Sequence, residues 1–362
     1  MSSGSDSDPQ RLGRPFDVVR ESVGARRGPS AVLAVATAQE TLRCEAFVGD
    51  AATPVQADSI FYVASISKPL MATAILRLVA DGLLALEDPI DRYLPQCGGA
   101  GTSTITVWQL LTHTSGLPEY DWATALREHP SATDMRALAY QAHLLFPSGT
   151  SYSYSTQSFW LLADLVARLS SMSYADYLRA RVCSPYGMRD TGFDPPTTSN
   201  RVAVVRGAAL GHPMGDEDAA AYLISLGMPG AGIWTTAADL ASFGQGLLHD
   251  LDHEGGLVLS PPLIELMTRE QTAGLTWFGS APPRPAHYGL GWEKGTLDGT
   301  LPGSRRSFGH MGATGARLWI DPDWDLVVVF LINQWGDEVV RSLPVLGAVY
   351  GAVRRRIPLT HN

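Results

Sequence analysis

The sequence predicts a mixed α/β protein of the α+β type. One sheet is assembled from strands at both ends of the chain, and a mostly helical lobe is inserted between them. Three observations carry this. Short apolar runs of strand character cluster near the N-terminus and again at 316–332. Helical spacing and Gly/Pro-rich loops fill the stretch between. The 362 residues, 45% hydrophobic and 17% charged, are enough for two lobes with a sizeable core and too apolar for a disordered chain.

The elements follow in order. Residues 1–14 are polar and Ser/Asp-rich and read as a loose tail. Ala31–Ala38 and Leu42–Val48, split by Gln39-Glu40, read as adjacent strands. Between Ser65 and Asp81, Leu70, Ala74, Ile75 and Leu78 recur at helical spacing and Gly82 ends the run. Pro69 is compatible, because first-turn amides lack intrahelical partners. Phe159–Leu169 and Thr236–Leu248 are further helices. Thr236 stands three before Asp239, as in a capping box with Asp replacing Glu. Ala316–Ile320 and Leu326–Ile332 flank a turn-rich Asp321–Asp325 and read as a hairpin, and Leu343–Arg354 closes the chain as a helix. Residues 15–82 and 255–362 then form an α/β lobe, residues 83–254 a helical lobe, and the cleft between them is the expected pocket.

Composition narrows the function. Acidic residues outnumber basic ones 36 to 27, a net charge of −9, which disfavours nucleic-acid partners. No apolar run spans a bilayer, and no basic start leads into a signal-like apolar segment. Cys44, Cys97 and Cys183 lack Cys-x-x-Cys spacing, which fits reduced thiols in a cytoplasmic protein. The nine histidines lack metal-ligand spacing, and no dinucleotide fingerprint is present, so neither metal nor cofactor is expected. Only two basic residues are lysines, Lys68 and Lys294.

Lys68 closes a Ser65-Ile66-Ser67-Lys68 motif at a helix start. Residues i and i+3 share a helix face, so Ser65 Oγ and the Lys68 amine can lie together. A serine hydroxyl needs a base, and a desolvated lysine is neutral enough to be one. Arginine is too basic for that task. Tyr152–Thr156 brings a tyrosine that shuttles a proton if nearby cations lower its pKa; locally it also reads as a turn whose rings pack over a helix. Gly309–Gly315 brings His310 among glycines, either a ligand-binding backbone or a glycine-rich bend. His113 reads as a hydrogen-bonded structural residue and Lys294 as a solvated loop residue. Tyr120, Trp122, Trp277, Phe278 and Trp292 lie in loop-like stretches, where some could line an acyl pocket.

In order, these segments resemble the serine β-lactamase-like superfamily, the β-lactamase/transpeptidase-like fold. The nearest likeness is to the branch holding class C β-lactamases, D-alanyl-D-alanine carboxypeptidases and family VIII esterases. Phe61–Lys68 resembles its nucleophile segment, and Ile105–Leu117 (ITVWQLLTHTSGL) its "LLTHTSGL" stretch. Pro185–Phe193 (PYGMRDTGF) resembles its "PLGMKDTGF"; Pro229–Leu240 and Tyr288–Trp292 match further segments. The likeness covers about residues 20–350. It implies Ser65 as acylated nucleophile, Lys68 and Tyr154 as general base and acid, and the amides of Ser65 and Ala313 as oxyanion hole. Thr156, His310 and Gly312 would contact substrate. Thr156 stands where these proteins usually carry Asn, and His310 where many carry Lys.

The expected activity is therefore cleavage of a small-molecule carboxylic ester through an acyl-Ser65 intermediate, the substrate being an ester, thioester or amide. Interception of the acyl group by an amine or alcohol would make the protein a transacylase or amide synthase. A β-lactamase or D-amino-acid peptidase is disfavoured by Thr156 and His310. A non-catalytic penicillin-fold binding protein is disfavoured because Ser65, Lys68 and Tyr154 are all present.

Overall fold

A computed structural model describes residues 12–24, 28–97, 102–195, 200–207, 215–336 and 341–353. Helix α1 (Gly13–Val23) leads into β1 (Ala31–Ala36) and β2 (Thr41–Phe47), and β3 (Phe61–Tyr62) precedes α2 (Ser67–Ala80). Then come α3 (Val107–Leu111), α4 (Trp122–Glu128), α5 (Ala132–Gln141), α6 (Gln157–Ser170), α7 (Tyr174–Leu178) and α8 (Asp216–Leu226). The chain finishes with β4 (Trp234–Thr235), α9 (Ala237–Asp252), α10 (Pro261–Thr268), β5 (Phe308–Met311), β6 (Arg317–Asp321), β7 (Leu326–Ile332) and α11 (Ser342–Ala352).

The main sheet has the order β2-β1-β7-β6-β5, with every neighbouring pair antiparallel. β1 pairs with β7 from Ala31 opposite Ile332 to Ala36 opposite Val327, so the two ends of the chain do meet in one sheet. All six residues of β1 are buried, because both sheet faces are covered. Successive side chains point to opposite faces. Leu33 and Val35 pack with Phe16 and Val19 of α1 and Val345 and Leu346 of α11. Val32 and Ala34 belong to the larger core on the other face, with α2 and α9. Helix α9 packs against β1 and β7, although it lies in the 83–254 stretch. Among the described residues no helix is long and apolar enough to cross a membrane.

Element ends differ from expectation for local reasons. β1 stops at Ala36 because Thr37 and Glu40 close a turn, Thr37 N–H donating to the Glu40 carbonyl at 2.9 Å. Gly13 and Arg14 belong to α1 and not to a tail; residues 1–11 lie outside the described ones. α11 ends at Ala352, and Arg354, expected at its end, also lies outside them. Thr236 does cap α9, its side chain accepting from Asp239 N–H at 3.1 Å. The reciprocal half of the box is missing, because Asp239 Oδ2 accepts from Asp190 N–H and Thr191 Oγ1, each at 2.7 Å. Thr236→Ala should therefore cost about 1 kcal/mol, the usual worth of one side-chain cap. Urea unfolding checks this, and an unchanged midpoint would refute it.

Candidate active site

The site begins with a strained turn. β3 pairs with β4, and Ile233 carbonyl accepts from Val63 N–H at 3.0 Å. Ala64 then takes φ +44°, a left-handed conformation costly for a residue with a Cβ. Ser65 sits in the following 3₁₀ turn, Ala64–Ile66, and the α-helix proper starts at Ser67, two residues later than predicted. Ser67 cannot compete as nucleophile. Its hydroxyl donates to the Ala64 carbonyl at 2.6 Å and accepts from Ile233 N–H at 3.0 Å, which locks the turn.

Lys68 is fully buried. Its Nζ lies 3.2 Å from Ser65 Oγ, 3.3 Å from Thr156 Oγ1 and 2.9 Å from the Gly230 carbonyl. The amine also sits over the rings of Tyr154 and Phe159, 4.6 and 5.3 Å from their centroids. Burial pulls its pKa down from 10.5 to about 8, against the opposing pull of Glu119 and Glu293. The geometry thus joins Ser65 and Lys68 to Tyr154 and Thr156, two segments nearly ninety residues apart in sequence (88 from Lys68 to Thr156).

For Tyr154, the cationic lowering on which a proton shuttle is conditional is absent. Burial holds its phenol well above 10, and Glu119, Glu293 and Tyr152 push the same way, while a hydrogen bond with Ser65 pulls it down. No cation overcomes this, so Tyr154 is a neutral phenol at rest, a proton donor and not a phenolate base.

His310, expected to contact substrate, lines the cavity but has both ring nitrogens engaged within the protein. Its Nδ1 donates to the Met311 carbonyl at 2.7 Å, which fixes the tautomer, and Nε2 then accepts from the Tyr288 hydroxyl at 2.9 Å. Burial lowers its pKa to about 3, helped by Lys68, so the ring is neutral with both nitrogens engaged. Gly312 N–H donates to the Ala316 carbonyl at 2.8 Å, and Thr314 Oγ1 donates to the Tyr62 carbonyl at 3.0 Å. These contacts pin 312–314 against the segment that carries Ser65. A Cβ on Gly312 would lie 2.2 Å from the Val63 carbonyl oxygen, so only glycine fits. Ser65, Tyr154, Thr156, His310, Gly312 and Ala313 line one cavity of about 560 Å³. Trp122, Leu126, Leu223, Met228 and Trp335 supply its apolar wall.

Sequence reasoning missed two carboxyls here. Glu119 is half-buried, and desolvation raises its pKa although Lys68 and three hydrogen bonds oppose it. Tyr120 N–H donates to Oε1 at 2.7 Å; Thr156 N–H and Thr156 Oγ1 donate to Oε2 at 2.8 and 2.9 Å. Glu293 is raised to about 7 by burial and lines this cavity and a second one of about 580 Å³. The two cavities share Tyr154, Glu293 and Met311, and Trp277 and Arg284 line the second. A charged residue just after a Gly-Leu-Pro turn was the one available signal for Glu119.

Other expectations divide. His113 is buried and structural as expected, its Nδ1 accepting from Ser155 N–H at 3.1 Å. Lys294 is not solvated: it is buried, donates to the Ser307 carbonyl at 2.7 Å, and burial lowers its pKa to about 8. Trp292 packs in the core against Phe243 and Phe308, and Phe278 is exposed. Tyr120 is buried, its hydroxyl donating to the Met135 carbonyl at 2.7 Å.

Comparison with known proteins adds to this geometry. A family model described as Beta-lactamase matches residues 16–350. Esterase EstB of Burkholderia gladioli is 34% identical over 204 residues, 51% of each protein. A penicillin-binding protein homologue from Caulobacter crescentus superposes with a TM-score of 0.78 at 24% identity, over 96% of this chain and 99% of that one. EstCE1, described as a hydrolase with promiscuous acyltransferase activity, superposes with a TM-score of 0.77 at 20% identity, over 95% and 99% of the two chains. At these identities the two structures establish a shared fold and nothing finer.

Proposed function

The chain belongs to the β-lactamase family, and on that premise we propose that it is a serine hydrolase cleaving a small-molecule carboxylic ester through an acyl-Ser65 intermediate. One observation carries the reading: Ser65 Oγ lies 3.2 Å from a buried lysine of depressed basicity, at the base of a largely apolar cavity. Neutral Lys68 takes the Ser65 proton as Oγ attacks the ester carbonyl. The amides of Ser65 and Ala313 meet the developing oxyanion. Tyr154, a phenol, donates a proton to the departing alkoxide and recovers one from Lys68. Water then enters with Lys68 as base and releases the acid. His310 and Gly312 act by holding the turn after β5 that carries Ala313. The resemblance to EstB supports an ester, and Thr156 in the place usual for Asn weighs against β-lactam or D-alanyl substrates. Three free thiols, two of them buried, support a cytoplasmic setting.

A second reading, acyl transfer to an amine or alcohol, is favoured by the second cavity. It meets the first at Tyr154, Glu293 and Met311 and so offers an acceptor a place beside the acyl group. Products formed from an activated ester with and without added amines separate the two readings.

A fluorophosphonate probe tests both readings at once, because each needs a nucleophilic Ser65. Wild type should take up one equivalent on Ser65 and Ser65→Ala none. Equal labelling of the two would refute the assignment.

A further inference from the structure

The residue that replaces the usual Asn does more than vacate a contact. Ser65 Oγ, Lys68 Nζ, Thr156 Oγ1 and Glu119 Oε2 form a continuous chain with steps of 3.2, 3.3 and 2.9 Å. The carboxylate can only accept at the far end, so the Thr156 hydroxyl proton points at Glu119 and its lone pairs face the Lys68 amine. We propose that Glu119 is a positioning residue that stores the proton of Lys68, passed through the Thr156 hydroxyl, so that Lys68 becomes a free base without releasing a proton to water. In that shift an Nζ–H proton moves to Thr156 Oγ1 while the Thr156 hydroxyl proton moves to Glu119 Oε2. The ammonium–carboxylate pair becomes an amine and a carboxylic acid, and the net charge of the site is unchanged. The amine then accepts the Ser65 proton.

The surroundings favour such an exchange. Lys68 is fully buried and Glu119 half-buried, and desolvation disfavours both charges, which narrows the gap between the two proton placements. The other titratable groups facing Lys68 do not store its proton at rest. Glu293 acts on it through space, Tyr154 is already a protonated phenol until it gives that proton to the leaving group, and His113 and His310 are held neutral by burial and by Lys68. The pair titrates as one unit holding one proton over the neutral range.

This inference rests on the acyl-Ser65 reading, and the test keeps the two separate. The readout is the rate of Ser65 labelling by a fluorophosphonate from pH 5 to 9. In wild type the rate should fall from its alkaline value to a pH-independent floor, because the stored-proton form keeps a constant share of the site. Glu119→Gln has no proton store. Its rate should fall tenfold per pH unit below the pKa of Lys68 with no floor, and so drop progressively below wild type toward pH 5. Thr156→Val should show the same floorless profile, Thr156→Ser should keep the floor, and Glu119→Asp should restore part of it. The double variant Glu119→Gln/Thr156→Val should be no slower than either single one.

A bystander charge predicts the opposite. Glu119 raises the pKa of Lys68, so removing that charge alone would free the amine at lower pH and speed labelling near neutrality. That outcome overturns the relay. So does a uniform drop at every pH, a floor surviving in Glu119→Gln, or no floor in wild type. If wild type is never labelled at Ser65, the acyl-enzyme reading itself fails. If Glu119→Gln does not fold, Thr156→Val puts the same chain to the test.

Discussion

Lys68→Met should abolish ester cleavage and yet leave the protein at least as stable at pH 7. Loss of the base that touches Ser65 should lower acylation by about 10³- to 10⁴-fold, the scale seen when a nucleophile loses its general base. Stability runs the other way. Lys68 has a pKa of about 8 when folded and 10.5 as an unperturbed lysine. The folded state therefore disfavours the ammonium. Below pH 8 that cost is fully present; it fades as pH rises from 8 to 10.5, where the unfolded chain binds more protons, and is gone above. Two and a half pKa units correspond to about 3 kcal/mol. Methionine fills similar volume with no charge to desolvate and recovers most of this. The Gly230 carbonyl then loses its 2.9 Å donor, at a cost of about 1–2 kcal/mol. A net gain of about 1–2 kcal/mol at pH 7 follows, shrinking toward pH 10.5 and reversing beyond it. Paired melts at pH 7 and pH 10 read the stability, and turnover of an aryl ester reads the activity. Retention of a tenth of wild-type rate would remove Lys68 from the base role. A variant equally destabilised at both pH values would show that the amine is held without strain.

The features legible in the sequence were those set by local pattern. The strand-forming runs at both ends, the helix after Ser65 and the glycine at 312 each have a period or a backbone requirement that one stretch of residues displays. What escaped depended on burial. Lys294 sits in a polar-looking loop and is nonetheless buried, because the Ser307 carbonyl draws its amine inward. Glu119 is one acidic residue among many until the fold sets Thr156 against it, 37 positions away. Tyr154 lies beside Ser65 in the fold, but whether nearby cations lower its pKa could not be read from spacing. Desolvation by its ring-lined surroundings decides its charge state, and no spacing rule reports desolvation.

Gly312→Ala should separate catalysis from folding more sharply than any substitution in the cavity wall. The new methyl would lie 3.1 Å from the Val63 carbonyl carbon and 2.2 Å from its oxygen, the second a distance that no contact sustains. The obstacle is backbone, so the two segments must part. One carries Ser65, two residues after Val63, and the other carries Ala313, so their separation widens any hole shared by the two amides. A shift of about 1 Å costs on the order of 10²-fold, and a lost oxyanion donor about 10²- to 10³-fold in kcat. The stability loss should be smaller, about 2 kcal/mol, because the β5–β6 ladder and the Thr314–Tyr62 hydrogen bond can absorb a local shift. Gly244→Ala is the informative control. Its methyl would meet Val327 Cγ1 at 2.6 Å, between α9 and β7 and away from the nucleophile. There the neighbour is a side chain, and overpacking should cost about 1–3 kcal/mol with little change in kcat. Measuring kcat and urea midpoints for both variants gives a crossed pattern: activity lost with modest destabilisation at 312, destabilisation with activity retained at 244. If both variants lose activity only in proportion to folded protein, placement of the turn at Ala313 contributes nothing specific, and the oxyanion assignment must move to other donors.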